Sequence, residues 1–313
     1  MPSSITHAYI AKDVYSRLDK KIKNKFQNND LENFKTYSQG PDLFYFYNIV
    51  FPITKRSRSI IKFGRYCHQN QVNELFINLT KKVKKSKNFD EFLFLIGLTC
   101  HYIADSTMHP YINYQSSQLI KNPSKLKDAH FKIETYLDNY MINKNEKINY
   151  KEFKVHEFCF NLEKHENVVT LLNDSFKEVF DENKIGEAYF KSLNDMKLFF
   201  KYFRYDPKKY KNYFYKFANI FAKRIFRDVR YLSYNFDLDN DTFHLNLNHD
   251  IWYNIENSNL KSNLSFLELY REVVLQTKLT IEKLYEYIYE NKRVDLEKLF
   301  GNKSYGTGLP LDK

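Results

Sequence analysis

Asp90-Glu-Phe-Leu-Phe-Leu-Ile-Gly-Leu-Thr-Cys-His101-Tyr-Ile-Ala-Asp105-Ser-Thr-Met-His109-Pro110-Tyr111 is the stretch that decides how this chain folds. The run from Phe92 to Thr99 is the longest apolar one, short of the roughly 18 residues that a membrane span needs. It reads as a helix buried in a core over 90–108, stopped or bent at His109-Pro110. On a helix, residues at i, i+4 and i+8 stack along one face with a drift of roughly 40°. His101, Asp105 and His109 therefore point the same way. His130 and Glu134 repeat the i, i+4 arrangement on a further helix expected over 124–140. Imidazole and carboxylate are ligands that zinc accepts, at about 2.0–2.2 Å. A lone histidine on an apolar face is more often a core residue than a ligand, but two ligand pairs at helical spacing on adjacent helices are hard to assign to packing. An unpaired Asp105, set among Ile103, Ala104 and the apolar run, would cost on the order of several kcal/mol, which a cation removes.

The rest of the chain fits an all-α protein. Glycine and proline number seven each in 313 residues, which leaves strand-rich architectures little punctuation. Aromatics make up 18% and can fill a helical core with few residues. Helices are expected over 6–24, 57–70, 150–163, 168–180, 185–203, 207–231 and 265–291. Gln39-Gly40-Pro41-Asp42 reads as a turn, with Asp42 placed to cap the aromatic run Leu43–Tyr47. A polar, Asn/Asp-rich loop is expected over 236–263, holding His244, His249 and Trp252, and a frayed tail after Gly301. No repeat or linker interrupts the chain, so one domain over 1–313 is the simplest organisation, with the ligands within 1–140 and a helical part over 145–300.

The formal net charge is +11. An anionic partner would suit it, yet the lysines are spread along the chain as on solvated helix faces, the tracts 81–85 and 208–211 included. His156 and His165, in Lys/Glu-rich sequence, are expected in solvent. Cys67, Cys100 and Cys159 form an odd set without CxxC spacing, so neither a disulfide framework nor a thiolate zinc site is indicated. Reduced thiols and a start, MPSSITHAYIAKD, without a signal peptide lead to the expectation of a cytoplasmic protein.

His7, Gly40-Pro41-Asp42, His68, the segment from His101 to Tyr111 and His130-Phe-Lys-Ile-Glu134 resemble, in order and ligand type, the metal-ligand pattern of the zinc-dependent phospholipase C family. That family shares its helical fold and trinuclear site with the zinc-dependent single-strand nucleases. The resemblance covers roughly the first 140 residues; beyond it only Leu245-Asn-Leu-Asn-His249, followed by Trp252, is similar. It implies that Asp42, His68, His101 and Asp105 hold one zinc and that His109, His130 and Glu134 hold a second. Asp105 would bridge to a third, completed by His7 and the amino end of the chain, giving two to three ions in all. Asp42 would also orient or deprotonate the attacking water. Two features depart from the secreted members: three residues instead of five separate Asp105 from His109, and Met1-Pro2 replaces an N-terminal tryptophan ligand.

The function implied is hydrolysis of a phosphate ester, either a phospholipid head group or a soluble phosphodiester, by a zinc-activated water. Glu134 leans to the phospholipase side, since the nucleases place aspartate there. A nuclease or nucleotidase, with nucleic acid as substrate, and a non-catalytic metal-binding protein are the alternatives. Peripheral contact with a membrane is compatible with the charge. Phe44 and Tyr45, with Phe46 and Tyr47 behind Asp42, and Phe63 and Tyr66 beside His68, offer an apolar wall or stacking surface for substrate. The same rings suit core packing, where at least half of the four after Asp42 are expected.

Overall fold

The computed structural model describes residues 4–49, 55–119, 126–146, 152–161, 163, 165–202 and 243–311. The fold is all-α, with one small two-stranded hairpin among the described residues. In chain order the helices are α1 (Ser4–Arg17), α2 (Lys20–Lys23), α3 (Asp30–Tyr37), α4 (Lys55–Ile61), α5 (Phe63–Tyr66), α6 (Val72–Ser86), α7 (Phe89–Leu119), α8 (Leu126–Glu146), α9 (Val155–Phe158), α10 (Glu166–Phe180), α11 (Ile185–Tyr202), α12 (Phe266–Tyr289) and α13 (Leu296–Phe300). A 3-10 turn, Gly40–Phe46, lies between α3 and α4.

Helix α7 is the axis. Every residue from Phe92 to Asp105 is buried, because α1, α3, α8 and α12 pack around it. A helix apolar on all sides is stable only where neighbours surround it. Among the described residues no helix is long and apolar enough to cross a membrane. Helix α12 begins with a capping box in which Ser265 and Glu268 satisfy each other's backbone N–H groups. One hydrophobic core runs from Ile5 to Tyr305.

Several expected elements take another form. The first helix breaks at Leu18-Asp19, so 6–24 becomes α1 and α2. The helix expected over 57–70 is two short ones, and His68 stands in the turn after α5. Of 150–163, only Val155–Phe158 is helical among the described residues, and 207–231 lies outside them. Asp42 is inside the 3-10 turn, whose N-cap position is held by Gln39.

Pro110 neither stops nor ends α7, which runs on to Leu119. Proline removes the N–H that would reach the Ser106 carbonyl, at a cost of about 3 kcal/mol in a helix interior. Tertiary packing offsets it. Tyr111 is buried against Trp252, with ring centroids 5.4 Å apart, and its hydroxyl donates to the His244 carbonyl at 2.7 Å. Trp252 belongs to a hairpin, Trp252–Asn254 paired antiparallel with Asn257–Ser262, set in what reads as loop sequence. The Asn254 side chain accepts from the Glu256 N–H at 3.0 Å and shapes the turn.

The tail after Gly301 is folded, not frayed. Lys303 and Pro310 form a bridge, and Tyr305 is 1% exposed.

Asp138, fully buried on α8, anchors the start of α1. Its carboxylate accepts from the Ile5 N–H at 3.3 Å, the Thr6 N–H at 2.8 Å and the Thr6 hydroxyl at 2.6 Å. These bonds satisfy orphan donors of the first helical turn from another helix. Asp138→Ala leaves those donors buried, and chemical denaturation of the metal-free protein should show a loss of about 2–3 kcal/mol; an unchanged midpoint and slope would refute this anchoring.

Candidate metal centre

Four separate elements bring their polar side chains to one face of α7. His7 comes from α1, whose start Asp138 holds. Asp42 comes from the 3-10 turn, which Gly40 opens at φ +56°. Gly40 is required twice, since that backbone region disfavours side chains and a Cβ there would lie 2.4 Å from the His101 ring. His68 follows α5. His101, Asp105 and His109 are successive turns of α7, and His130 and Glu134 face them from α8.

Asp105 is the hub. Its Oδ1 stands 3.2 Å from His7 Nε2. Its Oδ2 stands 3.2 Å from His101 Nε2, 3.6 Å from His68 Nε2 and 3.7 Å from His109 Nδ1. Asp42 Oδ1 lies 3.3 Å from His68 Nε2. Glu134 Oε1 lies 3.0 Å from His130 Nε2 and 3.3 Å from His109 Nε2. The ligand atoms fall into three groups that could each hold a metal ion: His7, His101 and Asp105; Asp42, His68 and His101; and His109, His130 and Glu134. His101 and Glu134 are fully buried, while His130, with 21% of its side chain exposed, marks the side open to solvent.

Whether these residues fit zinc can be tested on their own hydrogen bonds. His101 Nε2 and Asp105 Oδ2 are buried and meet at 3.2 Å, yet neither has an aligned hydrogen-bond partner. Buried polar atoms are almost always paired, and leaving two such atoms bare is costly. In three of the histidines the Nδ1 nitrogen is satisfied, whereas those of His7 and His68 are buried without a partner. His101 Nδ1 bonds the Ser38 carbonyl, His109 Nδ1 the Tyr305 carbonyl and His130 Nδ1 the Asn113 side-chain oxygen, each at 3.0 Å. An N–H donated at Nδ1 fixes the tautomer and leaves the Nε2 lone pair turned into the site, as in metal-ligating histidines. The residues fit a polynuclear zinc site.

The charge distribution agrees. Burial and the neighbouring His101 push His7 toward the neutral form. Burial alone would lower His68, but the carboxylates of Asp105 and Asp42 raise it to about 9. His109 is likewise raised, by Asp105 and Glu134 against burial. Burial would raise Asp105 and Glu134. The charges of His101 and His109 instead hold Asp105 well below the usual range, and those of His130 and His109 do the same for Glu134. Asp42, buried beside His68 and His101, stays low at about 2.

Of the rings expected to meet substrate, Phe44 and Phe63 are in the core. At 2% and 1% exposure they pack on Phe176, and Phe44 also on Tyr189, with no face left for a ligand. Tyr45 stays beside the site, its centroid 6.5 Å from His68, whereas Tyr66, 39% exposed, packs on Phe63 and Phe180. His249 is engaged elsewhere, with Asn263 and Glu268. His165 is not solvated: it sits between Asp90, at 3.3 Å, and Asn33, at 3.2 Å. His156 is also half-buried.

Four supporting residues escaped the sequence reading. Asp138 continues the His130, Glu134 stripe by one more turn, a signal that was there to be read. Asn113 lies one turn beyond His109 on α7. Ser38 and Tyr305 act through main-chain carbonyls, which no side-chain pattern announces.

The sequence model described as zinc dependent phospholipase C matches residues 6–227, well over half of the chain and a span within which the eight candidate ligands lie. The chain belongs to the zinc-dependent phospholipase C family, and so to metal-dependent hydrolases of phospholipids and phosphodiesters. No curated protein and no solved structure matches it.

Because His68 is raised to about 9, it carries a proton near neutral pH that zinc must displace. Calorimetric titration in buffers of differing ionisation enthalpy should show net proton release at pH 7. Apparent affinity should rise with pH up to about 9, where His68 itself loses its proton. The metal-free protein has the opposite sign. The His68 contribution to its stability is complete below about pH 6.5 and fades as pH rises through about 9. Zinc binding without proton release would contradict this assignment.

Proposed function

We propose that His7, Asp42, His68, His101, Asp105, His109, His130 and Glu134 hold two to three zinc ions. The reaction proposed is hydrolysis of the phosphodiester between glycerol and head group of a phospholipid. The observation that carries the reading is the division of Asp105: one carboxylate oxygen faces His7 while the other faces His68, His101 and His109. A carboxylate so placed suits bridging between neighbouring cations. Zinc in these groups would supply an acidified water and positive charge against the phosphoryl oxygens.

The chain's own residues do the rest. Asp42, acidic and charged at neutral pH, accepts a hydrogen bond from the attacking water and orients it in line with phosphorus. Glu134 and Asp105 keep the histidines aimed. Tyr45, beside His68, and the exposed Tyr66 offer aromatic surface to the glycerol side of the substrate. Breaking the phosphorus–oxygen bond to glycerol releases diacylglycerol and the phosphorylated head group, with the elements of water divided between them.

The test uses short-chain phosphatidylcholine below its micelle concentration as substrate, with single-stranded oligonucleotide in parallel. Zinc-loaded protein should release diacylglycerol, lose the activity on chelation and regain it with zinc. Asp42→Asn should lower kcat by about 10²–10⁴-fold, with zinc content measured alongside. Turnover of the oligonucleotide alone would move the chain to the nuclease reading. Full zinc content with no turnover of either substrate would make it a binding protein.

A further inference from the structure

The chain beyond the family match returns to the metal centre. After α13, residues 301–311 fold into a closed loop: the Ser304 N–H donates to the Leu309 carbonyl at 2.8 Å and the Leu311 N–H to Asn302 at 2.7 Å. Gly308, at φ +64°, seats the loop on α7. A Cβ there would lie 2.3 Å from the Ser106 carbonyl oxygen and 3.3 Å from Pro110 Cγ. The loop therefore covers the turn of helix where proline withholds its hydrogen bond. The hairpin pins it from outside, since Asn254 Nδ2 donates to the Thr307 carbonyl at 2.7 Å.

Held in this way, two consecutive residues reach three candidate ligands. The Tyr305 N–H donates to the His68 carbonyl at 3.1 Å. The Tyr305 carbonyl accepts from His109 Nδ1 at 3.0 Å. The Gly306 carbonyl accepts from Asn113 Nδ2 at 2.7 Å, and Asn113 Oδ1 in turn receives His130 Nδ1 at 3.0 Å. The Tyr305 ring is buried edge-on to His68, centroids 4.7 Å apart.

We propose that the C-terminal loop is a latch that positions the metal centre. Tyr305 fixes His68 and His109 directly, Gly306 fixes His130 through Asn113, and the group of His109, His130 and Glu134 reaches full affinity only with the latch seated. The inference rests on the metal-binding reading above. Outer hydrogen bonds of this kind typically govern metal affinity by about 10–100-fold.

Zinc and cobalt binding report on the latch without reference to turnover. Three variants serve: a chain ending at Gly301, Gly308→Val in the full chain, and Asn113→Ala, which removes only the relay to His130. Each should bind the ion at the His109 group about 10–100-fold more weakly and shift the visible cobalt spectrum, with helical circular dichroism unchanged. Synthetic peptide 302–313 should restore affinity and spectrum to the shortened chain and leave Asn113→Ala unaffected. If the shortened chain or Gly308→Val loses its helical signal, Asn113→Ala decides, because it disturbs no core contact. Wild-type affinity and cobalt spectrum in a folded Asn113→Ala and in a folded shortened chain would overturn the latch while leaving the metal reading standing. Absence of zinc from the wild-type protein itself would overturn the reading on which the latch rests.

Discussion

A carboxylate with almost no access to water, surrounded by four imidazoles, sets the terms for the rest of this structure. Asp105 lies between His7, His68, His101 and His109 at 3.2–3.7 Å. Burying such a charge without compensation is prohibitive, so the elements that carry its neighbours must stay in register with α7. Helix α1 is tied to α8 through Asp138. Gly40 allows the Asp42 turn to close over His101, and His68 is held by its main chain. Each device costs conformational freedom and is intelligible as part of placing ligands around one buried carboxylate.

Much of this was legible in the sequence because helical spacing is a local property. His101, Asp105 and His109 had to share a face once the apolar run was read as helix, and the same holds for His130 and Glu134. The aromatic pairs were ambiguous for a different reason. Phe44 and Phe63 sit next to ligands in sequence, but only the packing of Phe176 and Tyr189 from later helices turns them into the core. Pro110 misled because the compensation for its missing hydrogen bond comes from Tyr111 on Trp252 and from Gly308 on Ser106, contacts across long stretches of chain. His68 as a turn residue, the hairpin around Trp252 and the folded tail were equally out of reach, since tertiary contacts and main-chain bonds decide them.

The two halves of the chain divide the work unevenly. All eight candidate ligands lie before residue 140, within the part matched by the zinc-dependent phospholipase C family. Later residues supply the core that buries those ligands and, through Tyr305, Gly306 and the hairpin, the outer hydrogen bonds that aim three of them. Three buried cysteines take no part in the proposed centre. The donor set is imidazole and carboxylate, which suits zinc kept reactive toward water, whereas closed thiolate sites are structural.

Anomalous diffraction at the zinc absorption edge, on crystals grown with zinc, tests the central claim most directly. The account predicts peaks within about 2.0–2.2 Å of the ligand atoms in the groups of Asp42, His68 and His101 and of His109, His130 and Glu134, with Asp105 shared toward His7. Zinc found only at surface histidines such as His249, with Asp105 bonded solely to protonated imidazoles, would contradict it.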